Sequence, residues 1–100
     1  MTTRVDVVLL GGFRTIVDGV EVASDAWSQR RARDLVKLLA LAPRQRMHRE
    51  QVIDALWPEL PVSAGGANLR KAVHFGRRAL GWEDAITIVG GMARAEWEGG

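Results

Sequence analysis

The chain contains no cysteine, only two histidines, three prolines and two lysines in its 100 residues. Without cysteine there is neither a disulfide framework nor thiolate chemistry, and the composition suits a reducing compartment, so a cytoplasmic location is expected. No apolar run approaches the roughly 18 to 20 residues that a membrane-crossing helix needs, so no membrane partner is expected. The opening stretch MTTRVDVVLL has no cluster of positive charge ahead of its short apolar run and no small-residue cleavage site, which argues against a secretory signal. His48 and His74 have no cysteine beside them, and a metal site would depend on carboxylates gathered by folding. Ser24, Ser28 and Ser63 lack a histidine and acid arrangement for nucleophilic work, and the glycine pairs match no phosphate-binding loop. The chain is therefore expected to need no metal and no cofactor, and not to be an enzyme.

What is present is an uneven distribution of charge. Between residues 28 and 78 there are eleven basic groups and four acidic ones, while the remainder carries three basic groups and eight acids. A basic middle flanked by acidic ends fits a face that meets a polyanion, and it also fits an ordinary solvated helical face.

The length implies a single domain, 1–100. Val5, Val7 and Leu9 alternate with polar or outward positions before Gly11-Gly12, predicting a strand from 5 to 10. FRTIV and VEV flank Asp18-Gly19, a tight-turn dipeptide, so residues 1–27 read as a small antiparallel sheet. From Ser28 or Gln29 the period lengthens, and Ala32, Leu35, Val36, Leu39 and Ala42 mark one face of a helix that Pro43 stops. A second helix is predicted over 49–57, with Val52, Ile53 and Leu56 inward and His48, a weak capping residue, at its start. A third is predicted from a Ser63 cap to Leu80, closed by Gly81. These helices occupy 28–81. ITIV and MARAEW, joined by Gly90-Gly91, predict a hairpin over 86–97. The fold class expected is α+β, with an N-terminal antiparallel sheet, three helices and a C-terminal β-hairpin: a winged helix-turn-helix.

The third helix is the most informative segment, NLRKAVHFGRRALG. At 100 degrees per residue from Asn68, Leu69, Val73, Gly76 and Leu80 fall between roughly 80 and 140 degrees. Arg70, Lys71, His74, Arg77 and Arg78 fall between roughly 180 and 300 degrees, so every basic group is predicted to face away from the core. A thin apolar seam behind a basic face suits a helix that enters a DNA major groove with its back on a scaffold. Gly76, inside the seam, is expected to admit another helix closely. Trp27, Trp57, Trp82 and Trp97 flank the elements, where they either lock them together or form a stacking platform for single-stranded nucleic acid.

Four segments, VVLLGGFRTIVDGVEV, WSQRRARDLVKLLALAP, RMHREQVIDALWPELP and NLRKAVHFGRRALG, closely resemble the N-terminal DNA-binding domain of actinobacterial antibiotic-regulatory activators. The resemblance covers residues 4 to 82 and is strongest in RRAR, KLLALAP, HREQVIDALWP and LRKA. It implies a winged-helix fold like that of response-regulator output domains, and sequence-specific binding of double-stranded DNA in transcriptional regulation, with activation the expected sense. Carried over by position, Arg70, Lys71 and His74 face bases, Arg77 and Arg78 face phosphates, and Arg46, His48 and Arg49 contact the backbone. Arg94 is the wing residue, arginine being suited to a narrow, electronegative minor groove. The loop before the third helix is implied to face RNA polymerase, and self-association on tandem sites is the further partner expectation. Three departures stand out. Phe75-Gly76 replaces the usual Arg-Leu, leaving Phe75 to touch a thymine methyl or to sit as a core-edge aromatic. Gly65-Gly66 replaces an alanine-rich helix start, so the first turn is expected to fray until DNA orders it. The helical activation domain that the resemblance implies does not lie within these 100 residues, which read either as a stand-alone short regulator or as a fragment of a larger one. The rival reading is a winged-helix module for protein contact, in assembly or as a polymerase adaptor.

Overall fold

Turn chemistry and apolar spacing account for most of the architecture. The structure, a computed structural model, describes residues 3–98, so the outermost two residues at each end of the expected 1–100 domain lie outside the described residues. It is an α+β domain with three helices and two antiparallel sheets.

In the first sheet β1 (Val5–Val8) pairs with β2 (Arg14–Val17), and β2 with β3 (Val20–Glu21), in the order β1-β2-β3. β1 stops at Val8, short of the expected residue 10, because the chain begins to turn there: Gly11 and Gly12 follow at φ 77° and 136°, angles that glycine tolerates freely. Asp18 and Gly19 both have positive φ, 48° and 86°, and close the second hairpin as the dipeptide implied.

α1 (Arg30–Leu41) buries the expected stripe, Ala32, Leu35, Val36 and Leu39, and ends ahead of Pro43. After it Arg44 and Gln45 both adopt φ 57° and steer the chain into β4 (Arg46–His48), a strand the sequence did not announce. Three residues are too few to display a period of two. β4 pairs with β6 (Met92–Ala95), which pairs with β5 (Ile86–Val89), giving the order β4-β6-β5. The hairpin expected over 86–97 therefore ends at Ala95 and is two strands of a three-stranded sheet.

α2 (Arg49–Leu56) buries Val52, Ile53 and Leu56. Its cap is better than residue type suggested, because His48 Nδ1 accepts the Glu50 N–H at 3.2 Å. α3 (Val62–Leu80) closes on Gly81 at φ 68°, with the N–H groups of Gly81 and Trp82 donating to the Arg78 and Arg77 carbonyls. Its start corrects the expectation: Pro61 occupies the capping position and Ser63 lies inside the helix, making no cap hydrogen bond. The helix also runs unbroken through Gly65-Gly66. A Cβ at Gly65 would stand 2.2 Å from Ile53 Cγ2, so this glycine is what lets α2 and α3 approach. Gly76 has its nearest neighbour on a strand rather than a helix, with a notional Cβ 3.0 Å from Ile86 Cδ1 and 4.0 Å from Val36 Cγ2.

The core joins both sheets to the helices through Val5, Val36, Leu39, Ile53, Leu69 and Ile86. Burying an aliphatic side chain of this size contributes about 1.5 to 3 kcal/mol. Trp57 and Trp97 are buried, and Trp27 and Trp82, partly buried, pack against the core's edge, so the tryptophans lock elements together. Beyond Trp97 the Glu98 carbonyl accepts the Val5 N–H at 2.9 Å, tying the C-terminal sheet to β1.

Candidate nucleic-acid interface

The outward side of α3 is one continuous stripe. Ser63, Ala67, Arg70, Lys71, His74 and Arg78 recur at three- and four-residue steps and are all exposed, while Leu69, Ala72, Val73, Ala79 and Leu80 are buried on the opposite side. Its N-terminal half is small and its C-terminal half cationic, so a polyanion can approach the helix backbone before it meets the long side chains. Arg77 is the exception to the expectation that every basic group faces outward. It is half-buried, and its Nε and Nη2 donate to the Ile86 carbonyl at 2.9 and 2.7 Å. At 180 degrees it borders the apolar seam, and the unpaired strand carbonyl of β5 draws it in. Phe75 is half-buried beside the stripe, its ring edge-on to His74 with centroids 5.1 Å apart.

The pairing of charges is as telling as their positions. Among the described residues the ion pairs are Arg4–Asp6, Arg14–Glu21, Arg31–Asp34 and Arg94–Glu96. Of the eleven basic groups between 28 and 78, Arg31 alone has a carboxylate partner among the described residues.

Two pairs of arginines lie close together, and of these four side chains Arg94 alone, among the described residues, has a carboxylate partner. Arg49, the first residue of α2, directs Nη2 to within 3.1 Å of where a Gly66 Cβ would be, and Arg70 Nη1 lies 4.0 Å from the same point. Two guanidinium groups thus approach the same bare stretch of α3 backbone, and neither has an ion-pair partner among the described residues. Sequence reading selected both arginines separately but missed their convergence, which depends on how closely Gly65 lets the helices cross. The second pair is Arg46 and Arg94, direct cross-strand neighbours on β4 and β6. Like charges in that position oppose pairing by an amount within the roughly 0.2 to 1 kcal/mol range of cross-strand effects. Glu96 lies 3.5 Å from Arg94 and offsets part of the repulsion, though it also accepts a hydrogen bond from Thr87. Arg94 consequently sits within the strand and not at the hairpin tip, which is formed by Gly90-Gly91 with exposed Val89.

Arg49 stands between these regions, since its backbone N–H donates to the Gly91 carbonyl at 2.8 Å while its guanidinium reaches α3. His48, exposed beside it, spends Nδ1 on the helix cap and leaves Nε2 on the Gly91 side. Bidentate guanidinium groups free of carboxylates, beside a helix N-terminus, are suited to phosphate oxygens.

Among the described residues no group of three histidine or carboxylate side chains could hold a metal ion, and no helix is long and apolar enough to cross a membrane. No protein-family model matches the chain, and neither do curated proteins or solved structures.

Proposed function

We propose that the chain is a winged-helix, sequence-specific double-stranded DNA-binding domain of a transcriptional regulator. In this reading α3 enters the major groove and the β4-β6-β5 sheet, with its β5–β6 hairpin as the wing, lies along the adjacent backbone and minor groove. The observation that carries it is the exposed, unpaired cationic stripe of α3, continued by Arg49 towards Arg46 and Arg94. A chain with twelve acidic residues has the means to neutralise those groups internally, yet leaves them open. Arg70, Lys71 and His74 are the base-reading residues, Arg46, His48, Arg49 and Arg78 hold the backbone, and Arg94 serves the wing. Arg77 is reassigned here to a structural role. The regulatory sense proposed is activation, with the α2–α3 connection facing RNA polymerase.

Protein contact has an observation of its own in the exposed apolar side chains Leu10, 94 % exposed, and Val20 and Leu41, each 71 %. Fluorescence anisotropy of labelled duplexes across a salt series separates the two uses. Four phosphate contacts, from Arg46, Arg49, Arg78 and Arg94, give log affinity a slope near −3.6 against log salt, at about −0.9 per contact. Random-sequence duplex should bind at low salt, and selection from a random library should enrich one operator. A slope near zero, or no retention of random duplex, would leave protein contact as the function.

A further inference from the structure

Nothing in the packing of α3 requires a glycine at position 66. The residue lies inside the helix without a positive φ, where alanine is the better helix former. Gly65 is different, because a Cβ there would collide with Ile53. Gly66 is only half-buried, and a Cβ added to it would meet no core side chain. What it would meet are the tips of two cationic side chains, Arg49 Nη2 at 3.1 Å and Arg70 Nη1 at 4.0 Å.

Charge says what belongs in that space. Neither guanidinium has an ion pair among the described residues, so two like charges are brought to one point with nothing between them to offset their repulsion. An anion at that point would balance both. Without a Cβ, an oxygen can approach the Gly66 Cα to about 3.3 to 3.6 Å, the distance of a weak Cα–H···O contact, and stand within reach of both arginines. A phosphodiester carries two unesterified oxygens, one for each guanidinium, in charge-assisted hydrogen bonds. Nη1 is the Arg70 nitrogen turned towards Gly66, which leaves the Nη2 and Nε donors of the same fork for a base edge.

We infer that Gly66 is the seat of one DNA backbone phosphate, clamped between Arg49 of α2 and Nη1 of Arg70 on α3. The phosphate that Arg49 holds thereby also positions Arg70 for base reading, and Gly66 trades helix stability for the room the phosphate needs. The inference rests on the DNA-binding function proposed above and adds to it a binding residue and a positioning role.

The test compares the full chain with Gly66→Ala, in urea unfolding and in duplex anisotropy across a salt series. The variant should unfold at a higher urea concentration than the parent, because alanine favours the helix and the flexible Arg49 tip can move aside. It should nonetheless bind random and selected duplexes alike about tenfold more weakly, with a salt slope about 1 shallower. Arg49→Gln should weaken binding similarly, and the double variant should bind no more weakly than Arg49→Gln alone, since both changes remove the same phosphate. Inorganic phosphate, titrated at constant ionic strength against sodium chloride, should leave the Gly66 amide resonance of nitrogen-15-labelled chain in place to about 50 mM, whereas duplex moves it. Saturation by inorganic phosphate without movement by duplex would assign the seat to a free anion and overturn the inference. It fails too if Gly66→Ala binds like the parent, if that variant loses stability together with affinity, or if the two losses multiply in the double variant. In those three cases the DNA-binding reading stands. A parent chain that retains no duplex at all overturns that reading, and the inference with it.

Discussion

Replacing Gly65 with alanine sets two effects of known sign against each other. In a helix interior alanine is favoured over glycine by about 1 kcal/mol, so propensity alone predicts a more stable protein. The added Cβ, however, would lie 2.2 Å from Ile53 Cγ2 and 3.3 Å from both Ile53 Cβ and Cγ1. Carbon atoms prefer about 3.5 to 4.0 Å, so the methyl must push its neighbour by more than 1 Å, and Ile53 is wholly buried in the core. Overpacking costs about 1 to 3 kcal/mol, and an overlap of more than 1 Å with a wholly buried neighbour belongs at about 2 to 3, which outweighs the propensity gain. The expected result is a net loss of about 1 to 2 kcal/mol, or a melting temperature lower by roughly 4 to 16 °C for a domain of this size. Urea unfolding followed by circular dichroism would show a lower midpoint at unchanged slope. Ile53→Leu removes the offending Cγ2 branch, so the double variant should recover part of the loss, a coupling that independent sites do not show. A Gly65→Ala protein as stable as the parent would refute the claim that this glycine sets the α2–α3 distance.

His48→Ala removes the acceptor for the Glu50 N–H and should cost about 0.5 to 1 kcal/mol in urea unfolding, with faster amide exchange at Glu50. Arg77→Met strips both donors from the Ile86 carbonyl and should lower stability by about 1 to 2 kcal/mol while leaving the salt slope of duplex binding nearly unchanged. Arg78→Met should do the reverse, reducing the slope by about 1 with little effect on unfolding.

How much of this was legible depended on how local each cause is. Asp18-Gly19, Gly90-Gly91, Pro43 and Gly81 fix their backbone within a few residues, and every one of them turned or stopped the chain where the sequence indicated. The inward stripes of α1, α2 and α3 were equally plain from spacing. β4 was hidden because Arg46–His48 becomes a strand only through its partner β6, 48 and 46 residues away in sequence by the Arg46–Arg94 and Met47–Ala93 register. Helix-wheel geometry placed Arg77 at the edge of the basic arc but contained nothing about the Ile86 carbonyl that captures it. Gly65-Gly66 looked like a weak start because propensity is a local measure, whereas the reason for Gly65 lies on another helix. The gathering of Arg49 and Arg70 over Gly66 follows from that same crossing and was invisible for the same reason.

The short return of the chain past Trp97 has a consequence for solubility. Glu98 hydrogen-bonds Val5 and Thr3, so it covers backbone groups along the outer margin of β1, which would otherwise face water as an unpaired ladder. A version of the protein ending at Trp97 would keep its helices, its core and its basic face but present that bare margin to its neighbours. Its first failure would be sticking to copies of itself, well before any loss of the cationic surface.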